Sequence, residues 1–237
     1  FAIELSRLLK ISIDPIERLE LLQFCCVLQV MRSMCAQSIR YSDLFDQDVF
    51  DRGSVLGYAW LFSPMEGYTR QQRFAACQNL NVIFQIIKDA LNNEYILEHV
   101  NSVKLKEKGV TPSELDKKYG YTFFNSLGKR LGIIFPKTGA EPRFVITDKL
   151  LRYLVLSVLE PNTSCTYEGF KKKIYSHYGI AIEGEELNKA IIWSNVPLNS
   201  SMQPDGSELK EMLRAGGFLT ELSDGCSIVK NPFKEEF

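Results

Sequence analysis

Twice in this chain a helix-like segment runs into glycine and turns at once into a short two-stranded ribbon. The first case is YTFFNSLGKRL, residues 121–131, stopped by Gly132 and followed by the apolar, β-branched runs GIIFP and RFVIT, which KTGAEP joins. The second is SELKEMLRA, residues 207–215, stopped by Gly216-Gly217 and followed by FLTELSDGCSIVK. Glycine just past a helix end supplies the backbone conformation that caps the last carbonyls. Asp224-Gly225 suits a tight hairpin turn. The order therefore reads as helices followed by a ribbon, repeated.

The segments upstream of each ribbon fill in the order. EYILEHVNSVKLKEK, from Glu94, reads as a helix that ends at Gly109. Thr111 to Glu114, TPSE, places a cap, a proline at the first helical position and a glutamate at the third, and the short helix it starts stops at Tyr119-Gly120. In the second round DKLLRYLVLSVL, residues 148–159, is broken by Pro161-Asn162. Thr166 caps YEGFKKKIYSHY, which stops at Gly179, and EELNKAIIWS follows at 185–194. An additional helix, 207–215, precedes the second ribbon.

The first hundred residues read as mostly helical. A long helix over 15–40 begins at Asp14-Pro15, with an apolar stripe of Leu19, Leu22, Cys26, Val30 and Met34, widened by Val27, Met31 and Cys35. TRQQ, Thr69 to Gln72, has capping-box spacing. It opens a helix with Phe74, Cys77, Leu80, Phe84, Ile87 and Leu91 on one face, and Asn92-Asn93 stops it. Residues 41–68 are mixed and include the acidic cluster Asp43, Asp46, Asp48 and Asp51, read as a solvated connector.

Helices followed by a β-ribbon resemble the winged-helix fold, a helix-turn-helix variant. The fold class expected is mainly α with small β-hairpins: a helical bundle over 1–93, then winged-helix-like units over 94–147 and 148–237. The extra helix before the second ribbon departs from the simplest winged pattern. The alternative is that the hairpins are small sheets inside one continuous α+β domain. The ending GGFLTELSDGCSIVKNPF is also similar to the tails of accessory proteins from bacterial phage-defence and restriction systems.

Charge divides these units. The chain holds 28 Lys and Arg against 29 Asp and Glu. Residues 101–143 alone carry 9 basic and 4 acidic side chains, while the flanking stretches are each net negative. Phosphate contacts dominate nucleic-acid affinity and require such cations. In helix-turn-helix proteins the last helix of the trio enters the major groove, which here is YTFFNSLGKRL. If Phe123, Phe124, Leu127 and Leu131 face the core, then Asn125, Ser126, Lys129 and Arg130 face outward. Asn and Arg pair with adenine and guanine edges, and Lys and Ser reach bases or phosphates. Lys117 and Lys118 close the preceding helix, Lys137 sits in the ribbon turn and Arg143 opens its second strand. These eight residues form the expected duplex-DNA contact, against the alternative of a solvated basic face. The third helix of the acidic unit begins with Glu183, Glu185 and Glu186, which repel phosphate and favour protein docking. Lys171-Lys172-Lys173 reads as a solvated helix edge.

Catalytic motifs fail on spacing. Gln203-Pro204-Asp205 and Glu208-Leu209-Lys210 imitate a nuclease PD and ExK, but ELK opens a helix and the two motifs are too close to lie on adjacent strands. Gly128-Lys129 lacks the Ser or Thr and the glycine spacing of a phosphate loop. His99 and His177 have no evident nucleophile beside them. Six cysteines form no CxxC pair, so no zinc or other cofactor is expected, and the thiols read as reduced and buried. The most apolar run, Leu21 to Met31, is closed by Glu20 and Arg32, short of the roughly 20 residues that a membrane span needs. The chain opens on Phe1, so a preceding segment is expected.

These readings converge on a non-catalytic, cytoplasmic DNA-binding and assembly subunit of a larger complex. Its partners would be double-stranded DNA and protein subunits, and no membrane. The alternatives are a protein-docking scaffold without nucleic acid and a transcription regulator whose N-terminal bundle senses a ligand.

Overall fold

A computed structural model describes residues 1–42, 54, 56–65, 69–103, 112–195, 207–222 and 225–236. The acidic cluster Asp43 to Asp51, Thr111, Gln203 to Asp205 and Asp224 lie outside the described residues. The fold is mainly helical with small sheets.

Local capping chemistry sets the helix starts. α1 spans Ala2–Lys10 and α2 spans Pro15–Tyr41. The Asp14 carboxylate accepts from the Ile16 and Glu17 amides at 2.9 and 3.2 Å, with Pro15 needing no partner. α3, Arg70–Leu91, opens with the expected capping box: Thr69 accepts from Gln72 N at 3.2 Å, and the Gln72 side chain accepts from Thr69 N at 2.9 Å. α4 (Glu94–Val103), α5 (Pro112–Tyr119) and α6 (Tyr121–Leu131) follow, then strands β2 (Ile134–Phe135) and β3 (Arg143–Val145).

The core face of α2 differs from the expected stripe. Leu21, Phe24, Cys25, Leu28, Met31 and Cys35 are buried, whereas Leu19 is 67% exposed and Val30 44%. The helix is apolar round much of its girth because one face enters the core and a second, with Val30 and Met34, lines an open groove. By length and composition α2 could cross a membrane. Here it is a central helix that packs against α1, α3, α6 and the later helix α7 (Asp148–Val158).

β1, Trp60–Ser63, falls within the stretch read as mixed, and all four of its residues are buried. It is an inner strand of a four-stranded sheet ordered β2-β3-β1-β5, where β5 is Ile180–Ala181. β2 and β3 form the expected antiparallel ribbon. β1 then pairs in parallel with β3, Phe62 opposite Phe144, and with β5, Trp60 opposite Ile180. Asn79 on α3 is fully buried and pins β1: it accepts from Leu61 N at 2.9 Å and donates to Ala59 O at 3.0 Å.

The remaining elements are β4 (Ser164–Thr166), α8 (Tyr167–Tyr178), α9 (Gly184–Ser194), α10 (Ser207–Ala215), β6 (Leu219–Glu221) and β7 (Ser227–Lys230). The second ribbon, β6–β7, gains β4 as an antiparallel neighbour, giving the order β4-β7-β6.

The expected boundaries near 93 and 147 do not separate cores. One sheet draws a strand or strands from each of the three expected units, and one hydrophobic cluster runs from Leu8 to Val229. The C-terminal segment returns to the residues just after α1, where Lys234 O accepts from Ser12 N at 2.9 Å. Glu4, 1% exposed, joins α1 to α2, α7 and α8. Its carboxylate accepts from Arg32 at 2.8 Å and the Tyr153 hydroxyl at 3.0 Å, and lies 2.6 Å from His177 Nε2. Burial alone would raise this carboxyl. The His177 hydrogen bond, the Arg32 charge and the Tyr153 hydroxyl outweigh burial and hold it down at about 2.

Candidate nucleic-acid interface

α6 is placed by contacts on its inner side. Phe124 is fully buried and meets the rings of Trp60 and Phe144 edge-on at 6.2 and 6.4 Å. Gly128 sits against β2 so closely that a Cβ there would lie 2.3 Å from Ile134 Cδ1. Asp116 of α5 fixes the turn, taking hydrogen bonds from both the Thr122 amide and hydroxyl. Gly132, at φ +76°, closes the helix in the left-handed conformation expected of it.

The outward side then faces the β2–β3 connection across a concavity of about 470 Å³, lined by Thr122, Asn125, Ser126, Lys129, Arg130 and Lys137. Five of the eight expected contact residues are thus brought together. Lys117 and Lys118 are exposed on α5 but stand outside the cleft lining. Arg143 does not belong with them. It is 4% exposed, because β3 has β1 on its far side and α3 packed over it, and it lies close enough to bear on the Cys77 thiol. Phe123 also departs from expectation and lines the apolar groove instead of the core.

The electrostatics of the cleft are simple. Among the described residues no ion pair involves Lys117, Lys118, Lys129, Arg130 or Lys137. The nearest acid in sequence to the ribbon, Glu141, pairs with Arg73 at 3.4 Å. Asn125 Oδ1 is buried and accepts no hydrogen bond among the described residues. An unpaired buried acceptor costs about 1–3 kcal/mol.

The acidic unit is built differently from expectation. Glu183 and Glu186 are buried, and only Glu185 of the three carboxylates is exposed, paired to Lys189 at 2.8 Å. Lys171 is not a solvated edge: it is 5% exposed and held at 2.9 Å by Glu168 and 3.1 Å by Glu183. Burial would lower the Lys171 ammonium, but these two carboxylates raise it above its ordinary value. Lys172 and Lys173 are exposed.

His177, without a visible partner in the sequence, finds Glu4 in space; no spacing rule joins residues so far apart. Cys25 Sγ donates to the same carboxylate at 3.6 Å, and burial pushes its thiol up to about 11, which opposes nucleophilic use. His99 is exposed on α4. Cys25, Cys35 and Cys77 are buried free thiols, Cys165 is half-buried, and Cys26 and Cys226 are exposed. Among the described residues no cluster of His, Cys, Asp and Glu could hold a metal ion. Comparison with known proteins returned no matching family, no matching curated protein and no matching solved structure.

Proposed function

We propose that the chain is a non-catalytic, cytoplasmic subunit that binds duplex DNA through α6 and the β2–β3 ribbon and assembles with protein partners. The observation that carries this reading is the cleft, where Asn125, Ser126, Lys129 and Arg130 face Lys137 with no acid among the described residues that line it. α6 would lie in the major groove, with Arg130 and the Asn125 Nδ2 amide at base edges and Lys129 and Lys137 on phosphates. Lys117 and Lys118 would add flanking phosphate contacts. Both ribbon-bearing regions are read as winged-helix-like, and the order β4-β7-β6 supports this for the second. The assembly role rests on exposed apolar side chains of α1 and α2: Ile3, Leu9, Ile16 and Leu19 are each more than half exposed. A defence or restriction complex is the context suggested by the likeness of the C-terminal segment.

Fluorescence anisotropy with a labelled duplex tests the DNA reading. Affinity is expected to fall steeply with salt, with a log–log slope of about −3.6 for the four lysines placed on phosphates. Reversing Lys129 and Arg130 to Glu is expected to abolish binding at moderate salt. No binding by the wild type at low salt would overturn the reading and leave the scaffold alternative.

A further inference from the structure

A second concavity lies behind α6, not in front of it. It measures about 600 Å³ and is walled by α2, the end of α3, α4 and the α5–α6 pair. Small-molecule sites occupy roughly 300–1,000 Å³, so its size suits one compact ligand.

Its chemistry narrows the ligand. Among the described residues that line it, none is Asp, Glu, Lys, Arg or His. The walls are apolar, with Val30, Met34, Ile87, Leu91 and Phe123, and a charged group placed there would lose hydration without gaining a counter-ion. Ser33 and Gln37 stand one helical turn apart on α2 and supply neutral donors and acceptors along one side. Gln37 has no hydrogen bond of its own among the described residues. Apolar walls with a few polar groups to fix orientation are the usual make-up of a ligand site.

The sequence spends apolar residues here without burying them. Val30 and Tyr119 remain 44% and 56% exposed at the groove. Exposed apolar surface forgoes about 25 cal/mol for each Å² left in water. A ligand that covers it recovers that term.

We propose that this groove binds one small, uncharged and predominantly apolar molecule bearing a hydrogen-bonding edge. Phe123, one of its walls, belongs to the helix that carries Lys129 and Arg130, so the ligand touches the back of α6. Occupancy therefore alters duplex affinity. That second statement rests on the DNA reading, whereas the site itself does not.

The full chain is titrated with N-phenyl-1-naphthylamine, a neutral apolar fluorophore. Saturable binding of one dye per chain is expected, displaced by 1-decanol and at least about ten-fold less well by decanoate at pH 8. Val30→Asp places a carboxylate at the groove on an exposed position, and Phe123→Ala removes the opposite wall. Each, once circular dichroism has shown it folded, is expected to weaken dye binding at least about ten-fold. Lys129→Glu/Arg130→Glu is expected to leave dye binding unchanged. Non-saturable binding, equal binding by both folded groove variants, or decanoate matching decanol would overturn the site. So would a dimer, by light scattering, that the dye dissociates, since the groove would then be an interface between copies. A duplex affinity that dye saturation leaves unchanged would overturn the coupling. If the wild type bound no duplex at all, the DNA reading would fail while the dye titration still decided the site.

Discussion

The α5–α6 pair with its ribbon and the α8–α9 pair with the C-terminal ribbon both carry clusters of cations, yet they spend them in opposite ways. In the first, Lys129, Arg130 and Lys137 meet around a cleft with no acid among its described lining residues. In the second, Lys171 is sunk between Glu168 and Glu183, Lys189 and Arg214 pair with Glu185 and Glu221, and Lys210 lies 5.1 Å from the Tyr167 ring. Formal charge along a sequence is therefore a poor guide to the charge a ligand meets. Pairing decides it. The same amino acid lines an open cleft in one region and is a structural bolt in the other.

Stability measurements on variants sharpen this contrast. Lys171→Ala leaves Glu183 buried without its ammonium and is expected to cost about 3–5 kcal/mol in denaturant unfolding, with duplex affinity unchanged in the folded fraction. A cost under about 1 kcal/mol would break the comparison by making Lys171 a surface residue in energetic terms.

Glu4 is the other buried ionic centre. Its carboxyl lies near 2 in the fold against 4.5 ordinarily. The folded value is depressed, so the stabilisation is fully present above about 4.5 and is lost as pH falls toward 2. Its size is about 3 kcal/mol. Glu4→Gln is expected to flatten this part of the stability–pH curve, followed by thermal melts between pH 6 and 3. An unchanged acid limb would show that Arg32 and His177 do not depend on the carboxylate charge.

Gly128→Ala tests whether α6 is held by close approach to the ribbon. A methyl 2.3 Å from Ile134 Cδ1 must push the helix or the side chain aside. The expected cost is about 1–3 kcal/mol, with weaker duplex binding because α6 moves relative to Lys137. At the small end, Lys129→Ala/Arg130→Ala is expected to change stability by less than about 0.5 kcal/mol while reducing the steepness of the salt slope of DNA binding by about 1, from Lys129, and relaxing base preference through Arg130.

What was legible in the sequence was local. The Asp14-Pro15 start, the Thr69–Gln72 box and the stops at Gly132 and Gly179 each declare themselves within a few residues. The outward face of α6 was legible for the same reason, since Phe124, Leu127 and Leu131 mark its inner side by helical period, although the same reading put Phe123 there too. Arg143 was misplaced because its burial depends on β1, some eighty positions away. A ribbon of two- and three-residue strands gives no sign of which of its edges another strand will cover. WLFS was unreadable as a strand because both its faces are buried, so it shows no alternation. The groove face of α2 was read as core, since periodicity reports where apolar residues sit and not what covers them.

The parallel pairing of β1 with β3 and β5 has a consequence for how the chain comes into being on the ribosome. Trp60 to Ser63 emerge early, but one neighbour is made only when residue 145 is in place and the other only at residue 181. At roughly 5–20 residues per second this strand waits on the order of ten seconds with unpaired backbone and a tryptophan and a phenylalanine uncovered. Until then α2 and α3 can shelter it, and whatever holds nascent chains must tolerate it. A transcript cut after the first ribbon yields a polypeptide whose central strand lacks one side of its sheet, which makes such products natural targets for proteolysis.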